Sequence, residues 1–141
     1  DDFSLGLDPG YRRLFVDYLK DYADAEGKTI FLTSHIIQDM ERLIDDCIIM
    51  DYGSILTQQP IQQLLSTFRR YSFDLPEKKE YHLEDKNFYH PTQLRQHMET
   101  YSFLNPDEAV AQLNSLGIQA HNVKAEFLTL EDAFIGLTGK Y

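Results

Sequence analysis

The apolar residues of the first half of the chain recur at two different spacings. From residue 9 to residue 22 they repeat every three or four positions, which predicts an amphipathic helix that Asp8 caps and Gly27 ends. Thr29–His35 is instead a short apolar run that ends with Thr33, Ser34 and His35. This run predicts a buried strand of a parallel sheet. A second helical pattern then runs from Ile36 to Cys47. This alternation predicts an α/β sheet covered on both faces.

A hairpin and a further helix are predicted next. Cys47–Met50 indicates another buried strand, and a turn at 51–53 leads into a partner strand at Ser54–Thr57. Pro60 suits the start of the helix that follows. The first 68 residues therefore predict parallel strands plus a hairpin, with flanking helices.

The pattern changes at about residue 69. Arg70–Leu75 and Glu80–Glu84 alternate between polar and apolar residues, as half-exposed strands do. Thr92–Thr100 predicts a weak helix, and Tyr101–Leu104 a short strand.

Clearer signals follow towards the end of the chain. Asn105 and Pro106 begin a well-marked helix, Ile118–Phe127 should contain a strand, and Thr129 resembles the cap of a last helix. Residues 69–141 thus predict a small α+β unit.

Composition narrows the class of protein. The 141 residues are 43% hydrophobic and carry thirteen basic against twenty-three acidic side chains, for a net charge of −10. Such a balance repels nucleic acid and anionic lipid, so we expect neither as a direct partner. Cys47 is the single cysteine, which excludes a disulfide within the chain and favours a reducing compartment such as the cytosol. We expect no signal peptide or membrane span, so a membrane would matter only through another subunit.

Two segments contain candidate functional residues. Asp1 and Asp2 could hold a magnesium ion and orient a water, although composition alone favours a solvated acidic terminus. His35 ends the predicted strand, where ligands of α/β sheets bind, and its imidazole can donate to a phosphate oxygen. Gly27-Lys28-Thr29 is no P-loop, because Tyr22 stands where that motif needs glycine and a strand is predicted where it needs a helix.

The order of these motifs resembles one family. Asp1-Asp2-Phe3-Ser4-Leu5-Gly6-Leu7-Asp8-Pro9 is similar to the Asp-Glu-Pro-Thr-Ser-Gly-Leu-Asp-Pro segment of ATP-binding cassette (ABC) transporter ATPases. Thr33-Ser34-His35 resembles the strand end that carries the family's switch histidine. An acidic helix, an apolar strand and a glycine-containing hairpin follow in both. The segment from Leu130 to Gly139 also resembles the closing segment of many such subunits, especially those of drug and antibiotic exporters.

The resemblance implies roles for individual residues. Asp1 would be the Walker B aspartate that holds magnesium through water, and Asp2 would orient the attacking water. His35 would contact the γ-phosphate of ATP. Gly6, Leu7 and Asp8 would form the D-loop, which crosses between the two nucleotide-binding subunits of a dimer.

The sequence departs from the family at three of these positions. Asp2 replaces glutamate and shortens the reach to the water by one methylene, which predicts slower hydrolysis. Leu5 replaces the usual D-loop serine and puts one contact across the dimer in doubt, and Phe3 replaces proline.

Several parts of such an ATPase do not occur in the sequence. It contains no Gly-x-x-x-x-Gly-Lys-Ser/Thr motif, no Q-loop segment and no Leu-Ser-Gly-Gly-Gln signature. We therefore predict a fragment: residues 1–68 as the C-terminal portion of a P-loop-type nucleotide-binding domain, and residues 69–141 as an accessory domain. The parent would bind ATP and magnesium, pair with a second such subunit, and lie at the inner face of the membrane through a permease. The fragment alone should be inactive and should self-associate through its uncovered sheet.

Two other functions are conceivable, of which the second fails. Residues 69–141 could be a non-catalytic regulatory or dimerisation module. A magnesium-dependent phosphoryl-transfer receiver domain is suggested by the paired aspartates, but no strand precedes them and no strand ending in a lysine follows.

Overall fold

A computed structural model describes residues 5–139 of the chain, which contain five helices and six strands. The helices are α1 (Pro9–Glu26), α2 (Met40–Leu43), α3 (Ile61–Thr67), α4 (Pro106–Ser115) and α5 (Leu130–Thr138). The strands are β1 (Asp46–Asp51), β2 (Ser54–Pro60), β3 (Arg69–Asp74), β4 (Tyr89–Leu94), β5 (His97–Ser102) and β6 (His121–Phe127). The mixed α/β class predicted from the sequence is confirmed.

Helix α1 begins and ends where the sequence predicts. The Asp8 carboxylate accepts hydrogen bonds from the backbone N–H groups of Gly10 and Tyr11, at 2.9 and 3.1 Å. At the other end Gly27 adopts a left-handed conformation with φ of 59°, which closes the last turn at little steric cost. Local capping chemistry is therefore enough to define this helix.

The predicted strand at Thr29–His35 is wrong. This segment belongs to neither of the sheets, and only Met40–Leu43 of the predicted helix after it is helical. A buried parallel strand needs neighbours that accept its backbone hydrogen bonds on both sides. Residues 5–139 provide no such neighbours for it, so the apolar run stays irregular.

Both sheets are antiparallel, so the prediction of parallel strands is also wrong for the part of the chain that the structure describes. Strands β1 and β2 form the predicted hairpin, in which Asp46 pairs with Pro60 and Asp51 pairs with Ser54. The other four strands form one sheet in the order β4-β5-β3-β6.

The sequence-based prediction is wrong for two segments between residues 80 and 100. Thr92–Thr100 was predicted to be helical but lies in the β4–β5 hairpin, whose turn places Arg95 at φ of 59°. Met98, Thr100 and Ser102 are buried in alternation, which is the period of a strand. Glu80–Glu84 forms no strand; instead, the Tyr81 N–H donates to the Gln93 side chain.

Two hydrophobic cores organise the fold. The first combines residues 40–68 with Leu128 and α5, and it centres on the fully buried Leu64 and Phe68. The second lies between the larger sheet and α4, and it uses residues from Tyr71 to Ile118. The division of the chain at residues 68 and 69 stays a prediction.

Most of the exposed large apolar side chains lie within residues 5–56. Only Val16 of α1 is buried, whereas Tyr11 and Tyr18 are 66% and 63% exposed. Phe31 is 84% exposed. Neither core includes a residue of α1, and most of this helix is uncovered. No helix within residues 5–139 has both the length and the apolar character needed to cross a membrane.

Candidate functional site

The predicted D-loop residues form an exposed turn in front of α1. Gly6 adopts φ of 86°, a conformation that favours glycine. Leu7 and Asp8 are both exposed, and the Asp8 carboxylate is occupied as the cap of α1. The turn is thus fixed on the helix side and accessible to another molecule on the other side. Asp1 and Asp2 lie outside the described residues.

His35 lies on the surface, at a bend of the irregular segment that follows α1. The Ser34 hydroxyl accepts a hydrogen bond of 3.0 Å from the N–H of Ile36, and this local turn orients the backbone on both sides of the histidine. The imidazole is therefore accessible to an anionic ligand.

Arg12 connects these two parts of the candidate site. Its Nη2 donates to the carbonyl oxygen of Leu7 at 3.2 Å, and its Nε lies 3.5 Å from Oδ2 of Asp39, four residues after His35. Sequence reasoning missed this residue. The available signal was its position one helical turn after Asp8, because helical side chains lean towards the N-terminus of their helix.

Polar contacts also hold α2 against its two neighbours. Arg42 forms an ion pair of 2.9 Å with Asp17 of α1, and the Lys20 ammonium donates to the Arg42 carbonyl oxygen at 3.3 Å. On the other side, the Glu41 carboxylate accepts a hydrogen bond from the N–H of Leu130 at the start of α5. The segment after His35 is thus held between α1 and α5.

The tyrosines of α1 belong to neither hydrophobic core. Tyr11, Tyr18 and Tyr22 are 66%, 63% and 45% exposed. The Tyr18 and Tyr22 rings stack on each other with centroids 6.5 Å apart.

Cys47 has a structural role. It is buried in the first core, and burial, followed by the nearby charge of Asp46, raises the pKa of its thiol. A thiol with a raised pKa is a poor nucleophile and a poor metal ligand. Elsewhere in residues 5–139, no three His, Cys, Asp or Glu side chains are grouped so as to hold a metal ion.

Sequence comparison relates the chain to one class of subunit. No family model matches it. It is 33% identical over 100 residues to the energy-coupling factor transporter ATP-binding protein EcfA2 of Staphylococcus aureus, covering 67% of this chain and 34% of the relative. That match is longer than either predicted unit, so it includes residues of both.

Two further relatives match shorter stretches. The Nod factor export ATP-binding protein I of Ralstonia nicotianae is 36% identical over 66 residues, which is 47% of this chain and 20% of the relative. The thiamine import ATP-binding protein ThiQ of a Jannaschia species is 30% identical over 60 residues, or 43% of this chain and 26% of the relative. The chain thus spans about a third or less of the length of the curated relatives that it matches.

Proposed function

We propose that the chain is the C-terminal portion of an ATP-binding subunit of an ABC transporter, which couples ATP hydrolysis to transport. The chain is similar in sequence to part of several such subunits. The observation that carries this proposal is the similarity to several such subunits of differently named transporters. The exposed turn at Gly6–Asp8 and the exposed His35 support it, because both are placed where another molecule can reach them.

The residues of this chain would act by positioning. In the intact subunit Asp1 would hold magnesium, Asp2 would orient the attacking water, and His35 would donate to the γ-phosphate. Magnesium-bound ATP supplies the phosphoryl group and part of the compensating charge, since phosphoryl transfer is mostly positioning and charge stabilisation. Gly6, Leu7 and Asp8 would contact a second nucleotide-binding subunit.

Several partners and a location follow from this proposal. A transmembrane permease would hold the subunit at the cytoplasmic face of the membrane, and a second ATP-binding subunit would complete the dimer. We further propose export as the direction of transport, on the basis of the closing segment from Leu130 to Gly139. The relatives include both a thiamine import protein and a Nod factor export protein, so they favour neither direction.

Calorimetric titration with ATP and magnesium tests the proposal. The full-length subunit should bind ATP, whereas the 141-residue chain should give no measurable heat, because the phosphate-binding P-loop is not in its sequence. A His35→Ala variant of the full-length subunit should bind ATP but hydrolyse it more slowly. Absence of binding by the full-length protein would contradict the proposal.

One observation favours a second function for residues 69–141. The second core closes without any residue from the first 70, as a separately folded module would require. A regulatory or dimerisation module is therefore our alternative proposal. If the full-length protein bound no ATP but its dimer dissociated when residues 69–141 were removed, this alternative would replace the first.

A further inference from the structure

Arg12 is the described residue whose side chain touches both the turn at Gly6–Asp8 and the segment that follows His35. Through Nη2 it donates to the Leu7 carbonyl oxygen at 3.2 Å, and through Nε it faces Asp39 at 3.5 Å. The two contacts use different nitrogens of one planar guanidinium, so a movement of either segment reorients the group that holds the other.

The ion pair between Arg12 and Asp39 is largely shielded from water. The two side chains are only 20% and 25% exposed, and Nε of Arg12 and Oδ2 of Asp39 are buried atoms without a hydrogen bond. Buried polar atoms normally form hydrogen bonds, so a pair held at 3.5 Å can still tighten by a few tenths of an ångström. The ion pair of Arg42 with Asp17, which joins α2 to α1, is about half exposed and does not touch the turn.

We propose that Arg12 is a positioning residue that couples the turn at Gly6–Asp8 to the segment carrying His35, so that the two are placed together. The catalytic consequence rests on the function proposed above: a second subunit that contacts the turn would move His35 relative to the γ-phosphate through Arg12 and Asp39. Arg12 itself would not touch the nucleotide.

The coupling can be tested in the 141-residue chain without any nucleotide. Asp39→Asn keeps the shape of the side chain but removes its charge, and we expect it to shift the backbone amide resonances of Gly6, Leu7 and Asp8. The same substitution in an Arg12→Gln background should leave those three resonances unmoved. Asp17→Asn, which breaks the exposed pair with Arg42, is the matched control and should not shift them in either background. Equal shifts with and without Arg12, or no shift at all, would overturn the inference.

The catalytic consequence is tested in the full-length subunit. Because a displacement of about 1 Å can cost about 10²-fold in rate, Arg12→Gln and Asp39→Asn should each lower kcat for ATP by about 10–100-fold and change KM much less. The double variant should lose no more rate than the more impaired single variant. Arg12→Lys should be faster than Arg12→Gln, because lysine keeps the positive charge. Arg42→Gln is the control and should retain the native kcat. An unchanged kcat in Arg12→Gln would overturn the catalytic role. If the native full-length protein hydrolysed no ATP, the proposed function would fail, while the resonance measurements would still decide the coupling.

Discussion

The carboxylate of Glu41 accepts a 3.0 Å hydrogen bond from the backbone N–H of Leu130, a residue 89 positions further along the chain. Leu130 is the first residue of α5, where backbone N–H groups have no partner within the helix. A carboxylate at this position satisfies one of them and also meets the positive end of the helix dipole. The contact therefore ties α2, which follows His35, to α5.

We expect Glu41→Ala to lower the free energy of unfolding by about 1 kcal/mol, the usual effect of losing a helix cap. Glu41→Gln should cost less, because its amide oxygen can still accept the hydrogen bond. Urea denaturation measures both effects. Glu80→Ala, an exposed change in a loop, is the control and should leave the unfolding midpoint unchanged. Equal midpoints for Glu41→Ala and this control would show that the contact adds no stability.

Gly136→Ala should destabilise the protein, although alanine is normally the better helix residue by about 0.5–1 kcal/mol. A β-carbon at Gly136 would lie 2.5 Å from Cδ1 of Tyr101, so α5 would have to move away from β5. We expect a loss of about 1–3 kcal/mol, as for other overpacked cores.

A smaller side chain at position 101 provides the matched test of this clash. Tyr101→Leu combined with Gly136→Ala should be less destabilised than the sum of the two single changes. Thermal denaturation of the three variants measures this interaction. If the two losses of stability simply added, the Tyr101 ring would not be the cause of the destabilisation by Gly136→Ala.

The Asp74 carboxylate should titrate below its ordinary value of 3.8, which carbon-detected NMR can measure. A hydrogen bond from Asn122, followed by one from His97, lowers its pKa, and both favour the charged form. Because the pKa is lower in the folded state, this carboxylate stabilises the fold above about pH 3.8. That contribution is lost as the pH falls through the lower folded-state pKa.

Asn122→Ala should raise the pKa of Asp74, since Asn122 is its largest stabilising partner. It should also reduce the loss of stability in acid. Asn114→Ala, on an exposed part of α4, should change neither quantity. An unaltered Asp74 titration in Asn122→Ala would contradict this account.

The uncovered face of α1 should make the 141-residue chain self-associate, most simply as a dimer with a second copy of itself. Leu14 is 65% exposed beside Tyr18, and burial of such side chains is favourable by about 25 cal/mol per Å². Light scattering should show a dimer or larger species for the native chain and a smaller one for Leu14→Lys combined with Tyr18→Lys. Leu94→Lys, which changes an exposed leucine of the larger sheet, is the control. If the native chain stayed monomeric at high concentration, the prediction would be wrong.

Asp2→Glu should raise the turnover of ATP by the full-length subunit, because the longer side chain reaches the water that the family's glutamate orients. The expected gain is up to about 10²-fold, the usual effect of a displacement of about 1 Å. Steady-state hydrolysis at saturating ATP measures it, with Asp1→Glu as a control that should not accelerate the reaction. An unchanged or lower rate would show that Asp2 does not have the proposed role.

Local chemistry made part of the fold predictable. Asp8, Asn105 and Thr129 each accept a hydrogen bond from a backbone N–H in the first turn of the helix that follows, and the sequence located all three helices. The β1–β2 hairpin was equally clear from two apolar runs around Gly53. Where a signal is contained within a few neighbouring residues, the sequence was enough.

The remaining elements depend on distant parts of the chain. The apolar run at 29–35 reads as a strand, but a strand exists only where another strand pairs with it. In the β4–β5 hairpin, Arg95 occupies a positive-φ position where glycine or asparagine would have signalled the turn. The candidate site shows the same limit: the sequence pointed to Gly6–Asp8 and His35, but the Arg12–Asp39 contact joins residues 27 positions apart and was not predictable from either one.

The packing of Phe68 against α5 constrains the order in which the two cores can fold during synthesis. Leu64 and Phe68 leave the ribosome about sixty residues before Leu130, so their burial by α5 must wait until that helix has been synthesised. The intervening sheet and α4 use only residues up to about 127 and can assemble first. A premature stop codon shortly before Leu130 would therefore yield a product whose middle is folded while its earlier core stays open, and such a product would be a ready substrate for proteases.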